Sequence, residues 1–303
     1  MDMYLTGFAD EAAPDIEGQI RATKELGWKY IESRNVDGAN IHDIPDDKFE
    51  EVAAKLADSG VQINCFGSAI ANWGKQITDP FDITLEEIER TIPRMQRLGT
   101  KLIRVMSYAV LPGREADDQM EEERFSRMRT LLQMFTDAGL TPVHENCMNY
   151  GGMSWKHTLR LIENVPGLKL VFDTGNPVFT DDRAKPKPYP KQSAWEFYTH
   201  VKEHVAYVHI KDGVWNAETG KTTFTFPGEG DGDVRRIVKD LLASGYEGGL
   251  SIEPHLAVVQ HDEADGKHPH VISPEEQRYN SYVEYGRRME RMVAEVREEL
   301  VKG

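Results

Sequence analysis

The feature that most constrains this 303-residue chain is the alternation of short apolar, β-branched runs with amphipathic stretches at helical spacing. Eight runs read as strands: Tyr4–Phe8, Tyr30–Glu32, Gln62–Phe66, Leu102–Ser107, Thr141–Glu145, Leu168–Asp173, Ala206–Ile210 and Gly249–Glu253. Between them lie predicted helices over Asp15–Leu26, Pro45–Ser59, Thr84–Leu98, Glu121–Ala138, Trp155–Glu163 and Asp233–Ser244. Several close on a glycine able to take a left-handed cap: Gly27, Gly60, Gly99, Gly139 and Gly245. Strands alternating with helices imply a parallel sheet covered by helices, and eight such units favour a closed (β/α)8 barrel over an open sheet. An open dinucleotide-binding sheet needs Gly-x-Gly-x-x-Gly after its first strand. The chain instead has Gly7-Phe8-Ala9-Asp10-Glu11 there.

Two stretches break the rhythm. Asp181–Lys191 carries prolines that bar a helix interior, so it is expected to be a long loop after the sixth strand, on the rim of strand C-termini. Val258–Pro274 is polar, contains three of the ten histidines, and is expected to be a second extended loop after the eighth strand. A long C-terminal helix is predicted over about 274–302; it is available to pack on a second copy as a homo-oligomer or to close the barrel bottom. No boundary divides the chain, which is expected to be one domain over residues 1–303.

The net charge of −15 argues against a nucleic-acid partner, because such binding draws on Lys and Arg neutralising phosphates. No apolar run approaches membrane-spanning length, and Met1-Asp2-Met3-Tyr4 lacks the basic and apolar character of a signal peptide. Cys65 and Cys147 give no disulfide framework, which fits a cytoplasmic location.

The last four strands each end on a potential metal ligand: Glu145, Asp173, His209 and Glu253. Singly, such residues are more often caps, rim groups or hydrogen-bonded core residues. In a parallel barrel, however, all strand C-termini share one mouth. Three carboxylates converging there would repel one another, and a divalent ion relieves that conflict. An oxygen-rich set with one imidazole suits Mn, Mg, Co or Zn, with Mn favoured. Strand parity supports an inward direction, because Val143, Val171, Tyr207 and Ser251, two residues earlier, are compact or apolar enough to fill a barrel interior. Lys211 and His255 share that parity beyond the ligands and are candidate substrate contacts. Glu11, Glu32, Ser68, Asn72 and Trp73, at or past early strand ends, are further candidates, although Trp73 equally suits packing under a loop. Cys147 has no nucleophile–base arrangement around it and reads as a bystander.

The segments His144-Glu145-Asn146, Phe172-Asp173-Thr174-Gly175-Asn176, Val208-His209-Ile210-Lys211-Asp212, Pro227-Gly228-Glu229-Gly230 and Ile252-Glu253-Pro254-His255 carry a resemblance. In order and spacing they resemble the xylose-isomerase-like TIM-barrel superfamily, and within it the sugar phosphate isomerase/epimerase family. The resemblance implies a metal on Glu145, Asp173, His209 and Glu253, a small carbohydrate substrate, and an acid–base role for Glu145 and Glu253 beside a carbonyl, through a metal-stabilised enediolate. Two positions depart from the family's ketose epimerases. Asn176 stands where a hydroxyl-binding His is frequent, so Asn176 is the substrate-contact candidate there. Lys221-Thr222-Thr223-Phe224 lacks a frequent Arg.

The expected activity is therefore metal-dependent isomerisation or epimerisation of a sugar or sugar-like polyol. The alternative keeps the same base and metal but eliminates a neighbouring group, as a lyase or dehydratase of a keto-inositol, dehydroshikimate or oxidised glycoside. An apurinic-site endonuclease shares the barrel but needs a larger His-rich ligand set and a basic face. A non-catalytic barrel would not be expected to keep all four ligand positions filled.

Overall fold

In the chain's computed structural model, which describes residues 3–259, 270–271 and 275–302, parallel pairing gathers the eight runs into a ring. The barrel strands are β1 (Tyr4–Gly7), β2 (Tyr30–Ser33), β3 (Gln62–Phe66), β4 (Leu102–Val105), β5 (Thr141–Glu145), β6 (Lys169–Asp173), β7 (Val205–Ile210) and β8 (Gly249–Ile252). Each pairs with its sequence neighbour, and β8 returns to β1 with Gly7 opposite Ile252. The parallel bridge Phe8–Glu32 joins β1 to β2 and completes the circle. Asp173 stands opposite His209, and His209 opposite Ser251, so neighbouring strands deliver their ends at matching heights.

The covering helices are α1 (Ile16–Glu25), α2 (Asp46–Ser59), α3 (Phe81–Leu98), α4 (Glu121–Asp137), α5 (Trp155–Asn164), α6 (Ala194–Val201), α7 (Val234–Ala243) and α8 (Glu275–Lys302). Asp15 caps α1 by accepting from the Gly18 N–H at 2.8 Å, and the Ser154 and Ser193 hydroxyls cap α5 and α6. The five predicted cap glycines all have positive φ, between 70° and 76°. Sequence periodicity did not point to α6, whose eight residues AWEFYTHV are too short and too aromatic to show a clear polar face. The C-terminal helix does not close the barrel bottom. It lies on the flank against α1 and α7 as the eighth covering helix, burying Tyr282, Tyr285, Met289, Val293 and Val296.

The loop predicted over 181–191 is tied at its base by the Asp181–Lys191 bridge and by the Asp182 N–H on the Pro190 carbonyl. An unpredicted hairpin, Gly213–Asn216 with Lys221–Phe224, extends the rim after β7. Of the expected loop over 258–274, only the short antiparallel pair Val258–Val259 with His270–Val271 lies among the described residues.

Inside the ring, Val143, Val171 and Tyr207 pack with Cys65, and Ser251 is equally buried, as strand parity requires. The Asn64 amide donates to the Tyr207 hydroxyl at 2.9 Å and to that of Tyr4 at 3.2 Å. Gly249 makes room for both rings, since a Cβ there would sit 2.5 Å from Tyr207 and 2.9 Å from Tyr4. Gly249→Ala is therefore expected to destabilise the barrel by about 1–3 kcal/mol through overpacking. A shift in the chemical-denaturation midpoint measures this, and an unchanged midpoint contradicts it.

Candidate metal centre

Because β5 to β8 end at one level, Glu145, Asp173, His209 and Glu253 meet in the mouth, all fully buried, with one donor atom from each within 4.8 Å of the others. The centre of this group is the His209 ring. Its Nδ1 lies 3.4 Å from Glu145 Oε1 and 4.0 Å from both Asp173 Oδ2 and Glu253 Oε2. Its other nitrogen, Nε2, meets Glu32 Oε1 at 3.1 Å. A carboxylate on one ring nitrogen fixes the tautomer and aims the other nitrogen as a donor, the arrangement usual around metal-bound histidines.

The carboxylates are held just as firmly. Asp173 Oδ1 accepts the Gly175 and Asn176 N–H groups at 2.8 and 2.6 Å, which leaves Oδ2 facing the cluster with no hydrogen bond of its own. Arg104 donates to Glu145 Oε2 at 3.1 Å, and Arg34 to Glu253 Oε1 at 2.9 Å. Both guanidiniums flank the Phe8 ring, at 4.4 Å for Arg34 and 5.2 Å for Arg104, and the same ring packs edge-on to His209 at 4.9 Å. Lys211 Nζ bridges Asp173 Oδ2 at 3.0 Å and Glu253 Oε2 at 2.9 Å.

Six buried carboxylates (Asp10, Glu11, Glu32, Glu145, Asp173, Glu253) thus face three buried permanent cations (Arg34, Arg104, Lys211). The surplus shows in the ionisation of the groups. Burial, with Glu253 and Glu145 nearby, lifts Asp173 to about 7 despite Lys211. Burial opposes charging of Glu145, yet Arg104 and His209 bring it down to about 2. Burial also lowers His209, but Glu32 and Glu145 outweigh it and raise the ring to about 10. A donor set of three carboxylates and one imidazole with excess negative charge fits a divalent cation. A second acidic group, His42, Asp43 and Glu87, differs in this respect, because Lys75 pairs with Glu87 and Arg90 with Asp43.

The other sequence candidates fall into two groups. Lys211 and Asn176 reach the cluster, Asn176 by donating to Glu145 Oε1 at 3.1 Å. Glu11 holds His255 by its N–H at 2.7 Å and its Nδ1 at 2.9 Å, and His255 Nε2 then lies 3.5 Å from Glu253. Ser68 is not brought to the cluster, since its hydroxyl donates to the Arg104 carbonyl. Asn72 accepts from Gly74 within its own turn, and Trp73 is half-buried. Cys147 is buried with its thiol pushed up by burial, as expected of a bystander.

Sequence reasoning missed Arg34 and Arg104, because an arginine inside or beside a strand carries no motif. Their signal lay in parity: Arg104 is two residues after Leu102 on β4 and opposite Val143 on β5. Asp212 was quoted only within a motif. Its carboxylate accepts from the N–H groups of Gly213, Gly228, Gly230 and Gly232 at 2.8–3.1 Å, which explains the glycine-rich segment after the hairpin.

Residues 20–278 match the model of the family described as xylose isomerase-like TIM barrel. The chain belongs to this family. No curated protein matches it. Among solved structures, a xylose isomerase-like TIM barrel protein from Mycobacterium smegmatis in complex with magnesium is 18% identical over 97% of both chains, with TM-score 0.66. A D-tagatose 3-epimerase-like protein is 13% identical over 98% of this chain and 100% of its own, with TM-score 0.70. A probable 3-DHS dehydratase from Bacillus anthracis is 16% identical over 84% of this chain and 92% of its own, with TM-score 0.62. At these identities the likeness is one of fold. No helix among the described residues is long and apolar enough to cross a membrane.

In this xylose isomerase-like barrel, Glu32→Gln removes the charge behind His209 without changing its volume. Affinity for a divalent ion is expected to fall about 10–100-fold in calorimetric titration while the barrel stays folded. Unchanged affinity contradicts the orienting role of Glu32.

Proposed function

We propose that the chain is a divalent-metal-dependent isomerase or epimerase of a sugar or sugar-like polyol, with Glu145 and Glu253 moving the proton beside the substrate carbonyl. One observation carries this reading: each glutamate turns one oxygen toward His209 Nδ1 while an arginine holds the other, Arg104 on Glu145 and Arg34 on Glu253. Glu145, Asp173, His209 and Glu253 would hold the ion, manganese being favoured, and it would supply Lewis-acid stabilisation of negative charge on substrate oxygen.

The residues then divide the work. Burial opposes ionisation of both glutamates, but Arg104 and His209 beside Glu145, and Lys211, His255 and Arg34 beside Glu253, outweigh it and favour the carboxylate form, so the resting site presents two bases. For isomerisation, the glutamate that takes the carbon-bound proton can deliver it to the neighbouring carbon; for epimerisation, its partner on the opposite face returns a proton that it has first taken from a substrate hydroxyl or solvent. Fixing both carboxylates in advance removes the entropy of finding that geometry during the reaction. Asp173 and His209 act as anchors. Their outward oxygens and nitrogens are committed to Gly175, Asn176 and Glu32, which leaves them little freedom to exchange protons. Lys211 and His255, next to Glu253, are placed to meet a substrate oxygen. The likeness to the D-tagatose 3-epimerase-like protein is in keeping with such a substrate.

Asn176 favours a second reading. Its Nδ2 donates to Glu145, so only its Oδ1 remains to accept from a sugar hydroxyl. With the same base, loss of a group from the carbon next to the carbanion would give a lyase or dehydratase, a reaction class in keeping with the likeness to the probable 3-DHS dehydratase from Bacillus anthracis. Mass spectrometry of products from keto-sugars and keto-glycosides separates the two, since isomerisation conserves mass and elimination loses water or aglycone. In either case Glu145→Gln and Glu253→Gln are each expected to lower turnover at least about 100-fold with the fold retained. Near-normal turnover in either variant contradicts that residue's role.

A further inference from the structure

Lys211 is the one buried lysine among the described residues, and its position is unusual in what it touches. Three carboxylate oxygens face His209 Nδ1: Glu145 Oε1, Asp173 Oδ2 and Glu253 Oε2. The ammonium of Lys211 takes two of them, at 3.0 and 2.9 Å. A divalent ion on the same donor set would need the same two oxygens, and like charges sharing two oxygens repel.

The lysine is built to move only at its tip. Its backbone is pinned on both sides by Thr174, whose hydroxyl donates to the Lys211 carbonyl at 2.6 Å and accepts the Lys211 N–H at 3.1 Å. Its stem lies in a niche made by Gly175, where a Cβ would come within 2.7 Å of Lys211 Cγ. Beyond the tip stands the half-buried ring of Phe179, 5.9 Å from Nζ, an aromatic face able to receive an ammonium that leaves the carboxylates. Phe179 in turn packs edge-on to Phe224 of the rim hairpin at 6.0 Å, so this destination belongs to the wall of the mouth.

We propose that Lys211 is the resident cation of the acid cluster: it holds Asp173 and Glu253 together while the metal is absent, and metal loading drives its ammonium off those oxygens toward Phe179. This inference rests on the metal reading above and adds a competition that the four ligands alone do not imply. In the metal-free protein the lysine offsets carboxylate repulsion. In the loaded protein its freed N–H groups face the space where substrate oxygens would lie.

The test uses the full chain after removal of metal with a chelator, Mn2+ or Mg2+ as the probe, and Lys211→Met, which keeps the stem and removes the charge. The variant is expected to melt at a lower temperature than wild type when metal-free and to bind Mn2+ at least about 10-fold tighter by calorimetry, because a positive charge beside the ion is gone. Equal or weaker Mn2+ binding by a folded variant, beside normal binding by wild type, overturns the competition and leaves the metal reading intact. Absence of Mn2+ binding by wild type overturns both. Should Lys211→Met fail to fold, nitrogen-15 NMR of lysine side chains in wild type decides the matter. A single exchange-protected ammonium signal is expected to shift or vanish on saturation with Mg2+, and persistence of that signal unchanged overturns the proposal.

Discussion

The interaction on which the rest depends is the forced burial of more negative than positive charge at the barrel mouth. Carboxylates leave water at a large cost unless each is met by a cation or a hydrogen-bond donor. Here the protein meets most of that cost from its own residues. Arg34 and Arg104 both pack near the Phe8 ring and clamp Glu253 and Glu145. Backbone N–H groups after β6 take one oxygen of Asp173, and its other oxygen, with the Lys211 ammonium at 3.0 Å and the His209 ring at 4.0 Å, remains without a hydrogen bond.

The fold supplies this arrangement because a parallel barrel converts sequence order into angular position. Adjacent strands β5 to β8 put their last inward side chains at one height, and the residues two positions earlier fill the interior beneath them. The floor of Val143, Val171, Tyr207 and Cys65 is fully buried, and electrostatic interactions beside such packed apolar groups are stronger than in water. The rim is then completed by segments that depend on the site residues themselves. Asp212, one residue past Lys211, gathers four glycine N–H groups and so fixes the hairpin that bears Phe224.

Much of this was legible in the sequence, and the division follows from periodicity. Strand and helix patterns of period two and 3.6 marked all eight barrel strands and most helices, and the strand ends named the four-residue cluster. What stayed hidden were contacts between residues far apart in sequence. Nothing near Arg34 announces that it reaches Glu253 across 219 positions, and nothing near Glu32 announces its bond to His209 across 177. The helix Ala194–Val201 and the hairpin Gly213–Phe224 were missed because both are short, and tertiary packing rather than local pattern sets them. Ser68 is a different case: it is a polar residue just past a strand end, and nothing in the sequence signals that its hydroxyl donates to the Arg104 carbonyl.

The central claim, that Glu145, Asp173, His209 and Glu253 together form a cation site, is tested most directly by an anomalous difference map of crystals grown with Mn2+. One peak is expected among the four side chains, about 2.0–2.3 Å from His209 Nδ1 and from an oxygen of each carboxylate. No peak there, or a peak only at His42, Asp43 and Glu87, would contradict it.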